Sequence, residues 1–387
     1  MKPACSSLKF WEFKLSGSQI LFEIIINKST LRIKMKNSEF IPDYSNLLQV
    51  VSNIRPSRLP LYEHHIDAPF ISKVLGEKLD PTGLKTNELT DYYRKVIGFW
   101  KDMTFDGFDF EAAICDILPG HGAIMGGMLG PIQTRDDFNK YPWKDIPLIF
   151  METYTPHFKA IRKTLQAGMK AFGGCGYGIF EASRDLVGYE PLCIMQCLDP
   201  DLFRDLFIKI GDLWIELWTW VIKNYSDIYV FFRMGDDLGY KTSTLLDPEI
   251  IRQHILPQFK RVIDLIHASD KKFLLHSCGN IFSLMDDIIA LGIDAKHSNE
   301  DQIAPFSEWI DRYSQKIGLF GGFDLNILIL NEPEIVYKNV LEQGLMFRKK
   351  ARGYGLGSGN SIPEYIPVDG YLAMVEAVKE IRRIEER

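Results

Sequence analysis

Apolar positions along residues 40–387 alternate between two patterns. Short apolar runs end in a glycine or an acidic turn. Each is followed by a stretch with apolar residues at three- and four-residue steps. Eight such runs stand out, at 58–65, 105–114, 169–176, 227–235, 271–279, 293–299, 316–324 and 353–360. The helical pattern is clearest over 200–225, through Leu202, Phe203, Leu206, Phe207, Ile210, Leu213, Leu217 and Trp220. It recurs over 248–268, where Asp247-Pro248-Glu249 is a start signal, and over 368–386. Strands alternating with helices imply parallel pairing through right-handed crossovers. Eight units predict an α/β chain folded as a single (β/α)8 TIM barrel, with a doubly wound open sheet as the alternative. The runs at 105–114 and 353–360 are the least regular, because glycine weakens a strand.

The first 34 residues stand apart. Their apolar stretch, Leu21-Phe22-Glu23-Ile24-Ile25-Ile26, is too short and interrupted to span a bilayer. The polar segment Met35-Lys36-Asn37-Ser38-Glu39 then reads like an ordinary N-terminus. The chain accordingly divides into an N-terminal extension, 1–34, and a barrel, 35–387, with a peripheral strand or helix as the other reading of the extension.

A formal net charge of -6 argues against a nucleic-acid or anionic-membrane surface as the main partner. No run of about 18 apolar residues occurs, so no transmembrane helix is expected. Six scattered cysteines are not a disulfide framework and fit a reducing cytoplasm. Cys193 and Cys197, at helical i, i+4 spacing, read as a buried structural pair rather than a metal or redox site.

In a barrel, reactive groups gather at the carboxyl ends of the strands. His276-Ser277-Cys278 is the strongest signal: residues i and i+2 of a strand face the same way, so an imidazole and a thiolate can converge on one zinc ion. A buried histidine beside an inert cysteine is the structural alternative. Asp236 and Asp237 would point opposite ways, so one carboxylate faces the site, unless the pair only caps a turn. Glu63-His64-His65 and His297-Ser298-Asn299-Glu300-Asp301 each offer a ligand or an acid/base group, or a satisfied polar loop. The glycine-rich segment 353–360, with Ser358 and Asn360, is similar to a phosphate cradle, although close backbone packing explains it equally. Gly173-Gly174-Cys175-Gly176-Tyr177-Gly178 lacks the dinucleotide fingerprint spacing.

His276-Ser277-Cys278-Gly279-Asn280 followed by Leu291-Gly292-Ile293-Asp294 resembles the uroporphyrinogen decarboxylase superfamily. Gly321-Gly322-Phe323-Asp324 and the segments 357–367 and 371–377 are similar too, and the resemblance extends over about 45–385. It implies a (β/α)8 barrel in which homodimers are common. True decarboxylases of the superfamily carry an arginine-rich loop after the first strand, whereas this chain reads Leu61-Tyr62-Glu63-His64-His65-Ile66-Asp67, which is wrong for a polyanionic porphyrinogen. The corrinoid-dependent methyltransferase branch uses His-x-Cys plus a distant second cysteine. His276 and Cys278 match the first half, but no cysteine follows Cys278, and the expected position falls near Ser358–Asn360.

The resemblance therefore implies a metal-dependent methyltransferase moving a methyl group between a small substrate and a corrinoid on a partner protein. His276 and Cys278 would hold zinc, Asp237 or Glu300 would complete it, and Glu63 or His64 would contact substrate. Harder ligands in place of a second thiolate would make the zinc a stronger Lewis acid, better suited to an oxygen or nitrogen substrate than to a thiol. The alternatives are a decarboxylase or lyase acting on a small acid, and a corrinoid- or partner-binding subunit without chemistry.

Overall fold

The computed structural model describes residues 40–387 in full and the backbone of 7–15 and 18–26. The latter two are strands β1 (Ser7–Leu15) and β2 (Ser18–Ile26), paired antiparallel with Ser7 opposite Ile26. The remainder of the expected extension lies outside the described residues.

Seven parallel strands form the central sheet in chain order: β3 (Gly107–Ala113), β4 (Lys170–Gly176), β5 (Tyr229–Gly235), β6 (Phe273–His276), β7 (Ala295–His297), β8 (Gly318–Phe323) and β9 (Tyr354–Ser358). Helices connect them. Pro200–Tyr225 is a single helix, with Pro200 in its first turn and the Asp199 carboxylate accepting from the Leu202 N–H. The 248–268 stretch is instead three consecutive pieces, Pro248–Ile250, a π-turn at Ile251–Ile255, and Leu256–His267. β6, β7, β8 and β9 are buried along their whole length, as strands covered on both faces must be. Among the described residues no helix is long and apolar enough to cross a membrane.

The sheet is a curled seven-stranded one rather than a closed eight-stranded barrel. The expected first strand, 58–65, is present only as an extended segment with a parallel bridge between Leu61 and Leu356. Tyr62 donates its N–H to the Leu356 carbonyl, and Leu356 donates back to Pro60. Pro60 itself has no N–H to give, which cuts the ladder short. Close approach to β9 requires glycine at Gly357, where a Cβ would lie 1.7 Å from the Tyr62 carbonyl oxygen.

Side chains, not backbone, join this segment to β3 among the described residues. Arg58 pairs with Asp106, and His65 Nδ1 lies 2.6 Å from Asp109. The fully buried Arg233, from β5, crosses the interior to Asp109 (2.7 Å) and Glu111 (2.9 Å) on β3. Its other end meets Tyr62 Oη and the His64 carbonyl. One guanidinium thus ties both margins of the gap, using the fork of donors that only arginine has.

The described cysteines are all free, but Cys193 is half-buried and Cys197 exposed. The expected buried pair is corrected: this helix, Tyr189–Leu198, turns that face to the surface.

Candidate functional site

β6 ends at His276 and β7 at His297, and the two residues are register partners in a parallel pair, so both rings enter the same interior. Their tautomers follow from what surrounds them. His297 Nε2 lies 3.0 Å from the Ser358 carbonyl oxygen, which can only accept, so Nε2 carries the proton and Nδ1 the lone pair. His276 Nδ1 lies 2.8 Å from that Nδ1 and must donate to it. The lone pair of His276 is then left on Nε2, which faces the Cys278 sulfur at 3.4 Å. Burial drives both imidazoles towards neutrality, His276 well below its usual pKa and His297 to about 3. His64 stacks on His276, with centroids 3.5 Å apart and planes 14° from parallel, and burial lowers its pKa as well.

Cys278 is held from several directions. Its N–H donates to Asp237 Oδ1 at 2.8 Å, while Ser298 Oγ and Asn360 Nδ2 each donate to its sulfur at 3.4 Å. Ser298 adopts φ +94°, a strained backbone for a residue with a side chain, and one found at functional sites. Burial, then the Asp237 charge, pushes the thiol pKa well above the usual value. The adjacent carboxylate acts elsewhere. Asp236 accepts from the N–H groups of Phe180 and Glu181 at 2.9 Å each, capping the helix Ile179–Val187. Burial raises the Asp236 pKa to about 7.

The loops carrying Asp237 and Cys278 touch at two glycines. Gly279 has φ +82°, and a Cβ there would lie 2.1 Å from the Gly239 carbonyl carbon. Gly279→Ala is expected to part the two loops and, if the cluster beside them holds a metal ion, to weaken its binding by at least about tenfold, because a left-handed backbone and a backbone clash each cost on the order of 1 kcal/mol or more. Competition with a chelator of known affinity measures it.

The donors of Asp237, His276 and Cys278 all lie within 4.8 Å of one another. A tetrahedral zinc with bonds of about 2.0 Å to nitrogen and 2.3 Å to sulfur separates those two atoms by roughly 3.5 Å. The separation of 3.4 Å found here, with a lone pair already on His276 Nε2, fits a metal. His276 also donates its other N–H, as metal-ligating histidines do. His64, His276 and His297 form a second group of this kind, but both nitrogens of His297 are engaged, so it fits less well.

The remaining sequence candidates separate. Glu63 does not face a substrate: it is fully buried, and the Ser358 N–H and hydroxyl both donate to it. Ser358 is therefore enclosed, and the cradle reading of 353–360 gives way to backbone packing. Asn360 reaches the Cys278 sulfur, and Glu300 lines a cavity of about 400 Å³ with Asn299, Asp324, Asn326 and Asn360. A larger groove, about 680 Å³ beside Asp116–His121 and His157, shares no residue with the cluster.

Burial raises the Glu63 pKa to about 8, against the opposing Ser358 hydrogen bonds. The folded chain then keeps a proton that the unfolded chain releases from about pH 4.5 upwards, so stability falls as pH rises through that window and levels off beyond about pH 8. Glu63→Gln is expected to flatten part of this slope, read as the melting temperature between pH 5 and 9.

Three polar residues escaped the sequence reading. Arg233 sits in the apolar run Tyr229–Gly235, and a charge inside a buried strand is the signal that marks it. Lys296 is 2% exposed, donates to the Ser298 carbonyl and lies 3.9 Å above the Trp309 ring; burial lowers its pKa to about 7. Glu181 accepts from the Gly178 N–H, and burial followed by the Asp237 and Asp236 charges raises its pKa well above normal.

The profile of the family "Uroporphyrinogen decarboxylase (URO-D)" matches residues 123–381, more than half of the chain. No curated protein matches the sequence. Among solved structures, a methyltransferase from Methanosarcina mazei is similar over 87% of this chain and 98% of its own, at 13% identity and a TM-score of 0.64. D-psicose 3-epimerase from Clostridium cellulolyticum H10 covers 76% of this chain and 92% of its own, at 11% identity and a TM-score of 0.36.

Proposed function

The chain belongs to the uroporphyrinogen decarboxylase family, and within it we propose a metal-dependent methyltransferase that moves a methyl group between a small substrate and a corrinoid carried on a partner protein. The observation that carries this reading is the convergence of Asp237, His276 and Cys278, with the His276 Nε2 lone pair turned towards the sulfur. These three residues would hold the ion, zinc by the chemistry of the donors. When bound, it would supply Lewis-acid polarisation of the substrate heteroatom. His297 orients His276, Ser298 and Asn360 orient the sulfur, and His64 covers the imidazole face. The methyltransferase of like fold agrees in name with this chemistry.

Porphyrinogen decarboxylation is disfavoured by charge. Arg233 is engaged by Asp109 and Glu111, and the cavity beside the cluster carries Glu300 and Asp324. A substrate bearing many carboxylates would be repelled there.

The test has two stages. Elemental mass spectrometry of the purified protein should find about one zinc per chain, the four-coordinate stoichiometry of a single site. The loaded protein should then accelerate demethylation of free methylcobalamin by an oxygen, nitrogen or sulfur nucleophile, followed by the visible spectrum. Metal present without methyl transfer to any of these would overturn the methyltransferase reading. Metal-free protein that decarboxylates a small acid would replace it, with Asp237, His276 and Glu300 as the proton-handling groups.

A further inference from the structure

Resting on the reading of Asp237, His276 and Cys278 as metal ligands, we infer that Lys296 is a positioning residue of that cluster: it holds the backbone of Ser298 in a left-handed turn and so keeps the Ser298 hydroxyl on the Cys278 sulfur. Neighbours on a strand point to opposite faces, so with His297 in the interior Lys296 faces outwards, towards the helix Phe306–Tyr313. There its ammonium sits 3.9 Å from the Trp309 ring centroid, and the residue is 2% exposed. An apolar residue would suit that place better, because a lysine is almost never enclosed unless something pairs with it.

What the lysine adds is a bond to the Ser298 carbonyl. Ser298 is 3% exposed, and its φ of +94° is the largest positive value of any non-glycine among the described residues. A side chain is strained there, so the turn persists only because its surroundings hold it. On one side Ser277 donates its N–H to the His297 carbonyl at 3.4 Å, and on the other Asn299 donates to the Gly359 carbonyl at 3.0 Å. Between these anchors the Ser298 carbonyl is left to Lys296, and a buried carbonyl needs a partner. The reversal of the chain turns the Ser298 hydroxyl back to the Cys278 sulfur, 3.4 Å away. Trp309, Lys296, Ser298 and Cys278 thus form one line of contacts from the helix layer to the cluster.

A double-mutant cycle of Lys296→Met and Ser298→Ala tests this, with cobalt(II) as the probe metal and the near-ultraviolet thiolate-to-cobalt absorption as the readout. The charge of Lys296 by itself opposes a divalent cation, but that contribution is the same with or without the hydroxyl and cancels in the cycle. What remains should be a coupling of about three- to tenfold in cobalt affinity, the worth of one hydrogen bond, with Lys296→Met costing more when Ser298 is in place. Crystal structures of the metal-free wild type and Lys296→Met should show the turn relaxing to negative φ and the hydroxyl leaving the sulfur. If Lys296→Met does not fold, Trp309→Phe carries the same cycle: its ring holds an ammonium less tightly, and it should couple to Ser298 in the same direction. Additive effects on cobalt affinity, or a turn that keeps its φ in Lys296→Met, would overturn the inference. The outcomes separate. A wild type that takes up no cobalt removes the metal reading and leaves the crystal structures to decide the role of Lys296, whereas cobalt bound with additive variants keeps the metal and removes that role.

Discussion

His276→Ala is expected to take the protein from about one zinc per chain to almost none, and Cys278→Ser to lower affinity by at least about a hundredfold, since each removes one of a small set of ligands. The hydrogen-bond chain explains why His276 is the more sensitive position. It presents Nε2 as a lone pair only because Nδ1 donates to His297, which in turn is fixed by the Ser358 carbonyl. The same chain predicts the pH dependence. His276 is neutral before any metal arrives, since burial lowers its pKa, and so it releases no proton. The Cys278 thiol is held protonated by burial and by Asp237, so binding must expel one proton from it. Affinity should therefore rise about tenfold per pH unit through neutrality, the slope of a single proton released. Competition with a chromogenic chelator between pH 6 and 8 measures that slope. A pH-independent affinity would mean that the sulfur is not a ligand.

Arg233→Met should be the most destabilising single substitution away from the Asp237, His276 and Cys278 cluster. It would leave Glu111 without its cation and Asp109 with His65 alone, and breaking a buried pair from one side costs about 3–5 kcal/mol. For a domain of this size the melting temperature should fall by on the order of 10 °C. The residue also supplies the link to Tyr62 and His64 across the gap that no backbone ladder closes. The loss should therefore appear first as faster amide exchange in residues 58–65 and in β3. Combining Arg233→Met with Asp109→Asn and Glu111→Gln should recover part of the stability, because the stranded charges are then gone. A melting temperature unchanged in the single variant would show that the seam is held by packing instead.

Much of this protein was legible in the order of its residues. Alternating apolar runs and helical stretches located the seven strands to within a few residues, and the helix over 200–225 coincides with its observed limits. These features are local: side-chain periodicity, a proline in the first turn and an aspartate at the cap act over a few residues and leave their mark in sequence. The sequence also singled out His276 and Cys278, since i and i+2 on a strand share a face whatever the rest of the fold does.

Other features were decided by the tertiary structure. Pairing of the 58–65 segment depends on what lies on either side of it, and there Pro60 and Arg233 turn an eighth strand into a bridge with a side-chain seam. Glu63, a polar residue at a strand end like Glu300, is enclosed by Ser358, some 295 positions away in the chain. Asp236 and Asp237 are adjacent in sequence, yet one caps a helix and the other holds the Cys278 backbone. Which polar groups are satisfied and which are left free depends on contacts between residues far apart in the chain, and no local pattern encodes those. That is why the sequence could supply the candidate ligand pair His276 and Cys278, while the enclosure of Glu63 and the seam held by Arg233 became visible only when the chain was folded.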